Sequence, residues 1–309
     1  VAAFIEDDRT VTQGAGWSQA FDSAVNVTRD LGLSLHYRVE PTVGTFSALN
    51  WAHSGSSANN YGIIFALRPA SPASPLTINV PAGTVANDVM IASITMRPCS
   101  NASGGACTTT INEPAGWTQV GTTIDQTTGA GTGVFGHRLA VYRRVAGGAE
   151  PASYTWSFGG TPVHAGAAGA ILSFSGVDTA NPVIADAGQT TGVARTHIAP
   201  SVDTGSETNA MLVTTHTVNS SGAWGVPPAG MTEQADIASL AAPNDLGLAL
   251  GVYTESIPAA GPTGTRTATQ PLTPNPAYDT GATYSLALRP GVSLAHYSIG
   301  ASATTVANC

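Results

Sequence analysis

Few residues of this 309-residue chain are of types that do chemistry, and they are thinly spread. The acidic side chains offer two groupings, Glu6, Asp7 and Asp8 in VAAFIEDD, and Glu233 with Asp236 in MTEQADIA. Two carboxylates flanking a glycosidic bond, one giving a proton and the other attacking or activating water, would hydrolyse a sugar. Neither grouping recurs where the chain repeats itself, and the first reads as a solvated charge cluster at a strand end. The seven histidines, His36, His53, His137, His164, His197, His216 and His296, form no HExxH and no close pair. They read as single strand or loop residues rather than zinc ligands. The stretch GSS at 55–57 lacks the G-x-S-x-G nucleophile elbow, and GAGTGVFG at 129–136 lacks the lysine and helix of a phosphate loop and reads as a hairpin connection. Asp178 in VDTANP and Asp279 in PNPAYDTG sit among carbonyl and asparagine oxygens, which calcium prefers, although ordinary Asx turns use the same letters. These two are weak metal candidates. No cofactor and no catalytic group is expected, so the chain reads as no enzyme.

Cys99 and Cys107 flank SNASGGA, and a local disulfide across a hairpin tip is the expected reading, with free thiols as the alternative. A disulfide points to secretion. Cys309 has no evident partner in the sequence. Asn26, Asn101 and Asn219 each begin a glycosylation sequon, a short pattern frequent by chance. All eleven basic residues counted with lysine are arginine, and the formal net charge is −8, which disfavours nucleic acid and anionic membrane as partners. Charged residues make up 10% and hydrophobic ones 42%, a balance that argues for a folded chain. No apolar run is long enough for a membrane helix. With neither an initiator Met nor a signal-peptide pattern, Val1 reads as a processed or truncated start.

The elements that must carry these residues repeat. GAGWSQ at 14–19, PAGWTQV at 114–120 and PPAGMTE at 227–233 are nearly one phrase. Pro-Ala-Gly makes a tight turn, and Trp17, Trp117 and, in the third copy, Met231 are expected to fold back as core plugs. After each phrase come a linker and an alternating run: LSLHYRV (33–39), RLAVYRRV (138–145) and LALGVYTE (248–255). In these, Leu33 with Leu35, Leu139 with Val141, and Leu250 with Val252 share a face. Then follow FSALNWAH (46–53), SYTWSF (153–158) and TRTATQ (265–270), and finally the apolar YGIIFALRP (61–69), AGAILSFSG (168–176) and TYSLALRP (283–290). A further strand precedes each phrase, in VAAFIEDD, DVMIASITM (88–96) and AMLVTTHTV (210–218).

The fold class is therefore all-β, with three tandem β-sandwich modules in a row at 1–70, 71–178 and 179–291 and an extended tail at 292–309. LTINVPAGTVAND (76–88) opens the second module and ARTHIAPSVDTGSE (194–207) the third, whereas the first begins directly at VAAFIEDD and lacks an opening strand. The tail, GVSLAHYSIGASATTVANC (291–309), can be laid over INVPAGTVAN of that missing element with one insertion. The chain thus ends with the strand it lacks at its start. Strand donation is the expected consequence: Leu294, Tyr297, Ile299 and Val306 of one copy filling a groove beside Val1, Phe4 and Ile5 of the next. Such a head-to-tail contact makes a homopolymeric filament unless it closes.

DVMIASITMRP, EPAGWTQV, LAVYRRVAGGAEPASYTWSF, GAILSFSGVDTANPV and LAHYSIGASATTVANC together resemble the repeat region of MshQ-like proteins. These are large exported Gram-negative proteins associated with mannose-sensitive haemagglutinin pilus biogenesis clusters. The resemblance covers roughly residues 71–309 and rests on structural phrases, with the first copy a weaker echo. It implies a non-enzymatic, secreted or cell-surface protein linked to pili or adhesion. Such proteins look longer than this chain, so the partner of Cys309 is expected in further sequence or another subunit. The leading expectation is a structural subunit of an extracellular filament. The alternative is an adhesin that binds surface glycans through loops or exposed aromatics, with Trp51, Trp156 and Trp224 as candidates, although the first two read rather as core-packing residues.

Overall fold

The computed structural model describes residues 2–4, 11–12, 18–25, 31–37, 52–53, 74–97, 109–127, 136–160, 166–240, 247–270, 280–291 and 299–307. Every regular element among them is a β-strand, so the protein is all-β, as the alternating apolar runs indicated. The chain divides into two compact units, Val1–Pro69 and Ala70–Cys309. The division, after Pro69, lies one residue before the expected boundary at 70/71. The expected boundary at 178/179 and the tail both fall inside the second unit.

In the first unit, β1 (Ala2–Phe4), β2 (Val11–Thr12), β3 (Ser18–Val25), β4 (Leu31–Tyr37) and β5 (Ala52–His53) form a sheet of order β1-β4-β3 and a separate β2-β5 pair.

The second unit begins with β6 (Leu76–Asn79), β7 (Val89–Arg97), β8 (Thr110–Asn112), β9 (Thr118–Gln126), β10 (His137–Val145), β11 (Ser153–Gly159) and β12 (Gly166–Phe174). It continues through β13 (Val183–Thr191), β14 (Thr196–Ala199), β15 (Ala210–Val218), β16 (Thr232–Ala238), β17 (Ala249–Ile257), β18 (Arg266–Thr269), β19 (Gly281–Leu288) and β20 (Ile299–Ala307). Two five-stranded antiparallel sheets result, ordered β20-β12-β7-β10-β9 and β13-β19-β15-β17-β16, with smaller sheets β6-β11-β8 and β14-β18.

Alternation along each strand decides what lies between the sheets. On β7, Met90, Ala92, Ile94 and Met96 face Leu76, Ile78, Tyr154, Trp156 and Phe158 of the small sheet. Its odd-numbered Val89 and Ile91 instead join Leu139, Val141, Leu172 and Phe174 against Met211, Val213, Leu250, Val252, Tyr284 and Leu286 of the other five-stranded sheet. Leu212, Val218, Tyr253 and Ala287 turn away from that contact, towards Val202, Trp224, Met231 and Ala268. The unit is thus four layers deep, with the two large sheets in the middle. That is why β7, β12, β15 and β19 are buried along their whole length. Each large apolar side chain buried this way is worth about 1.5–3 kcal/mol. A row of separate modules was expected, but here the second and third copies pack broadside.

The segments expected as linkers after the repeated phrase are strands. β3, β9 and β16 follow it directly and pair with β4, β10 and β17. TQVGTTIDQ and TEQADIA carry few apolar residues because these strands lie at sheet edges, so their periodicity is faint. The turn itself is as anticipated in the two described copies. The amides of Trp117 and Met231 donate to the carbonyls of Pro114 and Pro228, and Gly116 and Gly230 both hold φ +84°. That left-handed conformation at the third turn position is the reason for glycine there.

Candidate joining interface

β12 is an inner strand built of small and apolar residues, GAAGAILSF, and it needs a partner on each side. β7 supplies one. The other is β20, which runs antiparallel along all nine residues of β12, from Gly166 opposite Ala307 to Phe174 opposite Ile299. Ile299 packs against the apolar cluster between the large sheets. In the second large sheet the corresponding edge, along β19, is filled by β13, which precedes the stretch 194–207 expected to open the third copy and is itself that copy's first strand. The second copy begins at β6 and has no such strand of its own among the described residues. β20 therefore occupies the place of an opening strand, and aligns with IADAGQTT of β13 rather than with INVPAGTVAN.

Of the expected donor residues, Ile299 opposes Phe174 and Val306 opposes Ala167, while Leu294 and Tyr297 lie outside the described residues. Among the expected acceptor residues, Val1 and Ile5 are likewise outside, and Phe4 stands opposite Ser34 in β1.

Alongside this edge, the joint between the two large sheets ends in a buried polar seam. Ser93 and Thr215 share a hydrogen bond of 2.7 Å. Arg97, only 3% exposed, donates to the carbonyls of Asn219 at 2.9 Å and Gly247 at 2.6 Å. Gln126 donates to the carbonyls of Thr191 and Gly281, and His137 Nε2 pairs with Thr217 Oγ1 at 3.0 Å. The Tyr284 hydroxyl meets Asp186 and the carbonyl of Val120.

Of the histidines that looked scattered, His137 lies in this seam, while His197 and His216 meet on the opposite face of the β15 sheet, because strand pairing brings separate stretches side by side. His197 and His216 both pack edge-on against Trp224, with centroids 5.7 and 5.8 Å away. Burial lowers His137 to about 3, helped by Arg97 and His197. Burial likewise lowers His216 to about 3 and His197 to about 4. Sequence spacing could not have revealed these neighbours, since the pairing and facing of β10, β14 and β15 decide which rings meet.

Among the described residues, the expected chemical candidates are not brought together. Glu233 is exposed on β16, whereas the Asp236 carboxylate accepts the Trp224 amide and is raised to about 6, chiefly by burial. Glu6, Asp7 and Asp8 lie outside the described residues. Asp178 caps its own turn by accepting from the amides of Ala180 and Asn181, and Asp279 is outside the described residues. No group of three His, Cys, Asp or Glu among the described residues could hold a metal ion. An open cleft of about 400 Å³ beside Ile299, lined by Met211, Gln234 and Thr254, contains one carboxylate, Glu255, already engaged by Arg266.

Trp117 and Met231 are buried, as core plugs would be, and Trp17 lies outside the described residues. Trp156, for which core packing was the first expectation, and Trp224, the better candidate for an exposed glycan platform, are both buried, at 0% and 2% exposure, and Trp51 is outside the described residues. Asn219 is fully buried, so its sequon is closed to a glycan in the folded protein. Asn26, Asn101, Cys99, Cys107 and Cys309 lie outside the described residues. Among the described residues no helix is long and apolar enough to cross a membrane. No family model matches the chain, and neither a curated protein nor a solved structure does.

Proposed function

We propose that this chain is a non-enzymatic structural subunit of an extracellular or cell-surface filament, assembled from three tandem β-sandwich modules and joined head-to-tail through strand 299–307. The carrying observation is the nine-residue pairing of β20 with β12, at an edge whose counterpart holds the opening strand of the third copy. In this reading each large sheet with its small companion is one sandwich, and the first copy is a third, shorter one. The second sandwich lacks an opening strand and borrows one from beyond the third. A borrowed strand can come from its own chain or from a neighbour, and the same ladder forms in both cases. The acceptor accordingly moves from the first module to the β12 edge. Low charge, the absence of lysine and the resemblance to exported pilus-associated proteins support a surface setting. The adhesin alternative is weakened by the burial of Trp156 and Trp224.

Two measurements test the reading together. Ala170 and Ala303 face each other across the β12–β20 ladder. One chain carries Ala170→Cys and another Ala303→Cys, both with Cys309→Ser, and the two are mixed under filament-forming conditions. Strand donation between subunits produces a disulfide-linked pair on a non-reducing gel, and filaments in negative stain that a chain lacking 299–309 does not form. Single particles with and without the tail, and no cross-link between chains, would sink the proposal.

A further inference from the structure

We propose that the outer edge of β20 is a docking edge for β20 of a second copy of this chain. The two strands pair antiparallel about a twofold axis, Ala303 meeting Ala303, and the five-stranded sheets of the two molecules run on as one. Natural sheets blunt an open edge with charge, a bulge or shortness, because its free N–H and C=O groups are a template for any extended chain. The other described edges of the second unit are guarded in this way. β9 carries Asp125 and slips register against β10 between Leu139 and Val141. β16 carries Glu233 and Asp236 and slips between Glu233 and Ala235, and β13 carries Asp186 and slips between Val183 and Ala185. The edge strands of the small sheets are only three or four residues long.

β20 has none of these guards. IGASATTVA holds no charge and no proline, and it pairs with β12 through nine residues without a slip. No described strand lies along its far side, and Ala301 and Ala303 at its middle are exposed. Donors and acceptors recur every two residues along that side, a spacing that another extended strand matches.

The sequence of β20 selects itself as that strand. In antiparallel register about Ala303, Ile299 stands opposite Ala307, Gly300 opposite Val306, Ala301 opposite Thr305 and Ser302 opposite Thr304. Each bulkier residue meets a smaller one, and such cross-strand pairs are the units from which a sheet gains stability. No charge stands within the pairing to oppose it. Sliding by two residues, the smallest shift that keeps the same faces aligned, leaves two residues of each strand unpaired. The contact leaves the β12 ladder untouched, so it holds whichever chain supplies β20. A strand kept at home gives closed twofold dimers, and a donated strand gives filaments that run in pairs.

Cysteine scanning reads the register. Ala301→Cys, Ala303→Cys and Thr305→Cys chains, each with Cys309→Ser, are oxidised mildly beside the Cys309→Ser chain as baseline. Ala303→Cys is expected to link to its own kind. Ala301→Cys and Thr305→Cys are expected to stay unlinked when alone, since each lies four residues, about 14 Å, from its twin and beyond disulfide reach. Mixing those two chains restores the link. Ala303→Lys sets like charges opposite each other at an exposed position, and is expected to weaken pairing about fivefold in sedimentation, with an unchanged circular dichroism spectrum. None of these chains carries Ala170→Cys, so the result is separate from strand donation. If donation fails, the Ala303→Cys link persists in closed dimers, whereas filaments without that link overturn the edge pairing alone. Equal linking at all three positions, or none at 303, also overturns it.

Discussion

Arg144 and Glu255 stand at the same place in two repeats, the fourth positions of VYRR-like and VYTE-like runs, yet carry opposite charges. Each is paired, Arg144 with Glu150 at 3.1 Å and Glu255 with Arg266 at 2.6 Å, and each side chain lies against the glycine of its Pro-Ala-Gly turn. The position thus needs a neutralised pair beneath the turn rather than a charge of one sign, so a sequence reading based on charge conservation between copies would miss it. Asp236 behaves differently because its carboxylate is half-buried with a single backbone donor. Its folded pKa lies above the unfolded one, so the penalty for ionisation is full above pH 6 and gone below about pH 4. Asp236→Asn is expected to stabilise the protein by about 1 kcal/mol at pH 7.5, allowing for partial exposure, with no gain at pH 3.5. Urea titrations at the two pH values check this, and a gain independent of pH would count against it. Trp156, fully buried beside Trp117 and Tyr142, is a packing residue, and Trp156→Ala should cost about 3–5 kcal/mol by the same measurement.

At the scale of elements, legibility in the sequence followed burial. The inner strands β7, β12, β15 and β19 are apolar on both faces because both faces are covered, and their runs stand out in the sequence. Edge strands were harder to see. β13 alternates nothing strongly apolar after Ile184, and β9 and β16 are mixed, since one side of each meets solvent or a neighbour's rim. The small residues of β12 have their own reason. A Cβ at Gly169 would come within 2.7 Å of the methyl ends of Ile78 and Ile94 and 3.0 Å of Leu76, so the small sheet seats closely over this strand. Gly169→Val should therefore overpack the β6–β12 contact and lower stability by about 1–3 kcal/mol, read as a reduced urea midpoint. An unchanged midpoint would mean that β6 has room to move away.

At the scale of the whole second unit, the two copies meet as near-equivalents. Tyr142 opposes Ala92 and Tyr253 opposes Thr214, so the residues that follow on β7 and β15, Ser93 and Thr215, are counterparts, and they bond to each other. β9 packs on β13, and its counterpart β16 packs on β20. That is the self-complementary arrangement of a twofold dimer, made here within one chain. The symmetry breaks at its polar end, where Arg97 faces the 219–221 turn. Arg97→Met would strip two buried carbonyls of a charged donor and is expected to cost about 3 kcal/mol. The loss should appear as one cooperative urea transition at a lower midpoint, and a midpoint equal to that of the unaltered chain would show that the seam carries no stability.

Composition and alternation were enough for an all-β chain, for three copies of one phrase, and for an extended strand at the end. These are local properties: side-chain period, turn residues and repeated order are written residue by residue. What only the tertiary structure decided is non-local. Strand pairing set β20 on β12, the broadside contact buried both faces of the inner strands, and the packing of β14 over β15 brought two histidines, His197 and His216, against one tryptophan. An edge strand carries no letter that names its partner, because main-chain hydrogen bonds are the same for every residue, and the choice falls to whichever apolar edge would otherwise stand open.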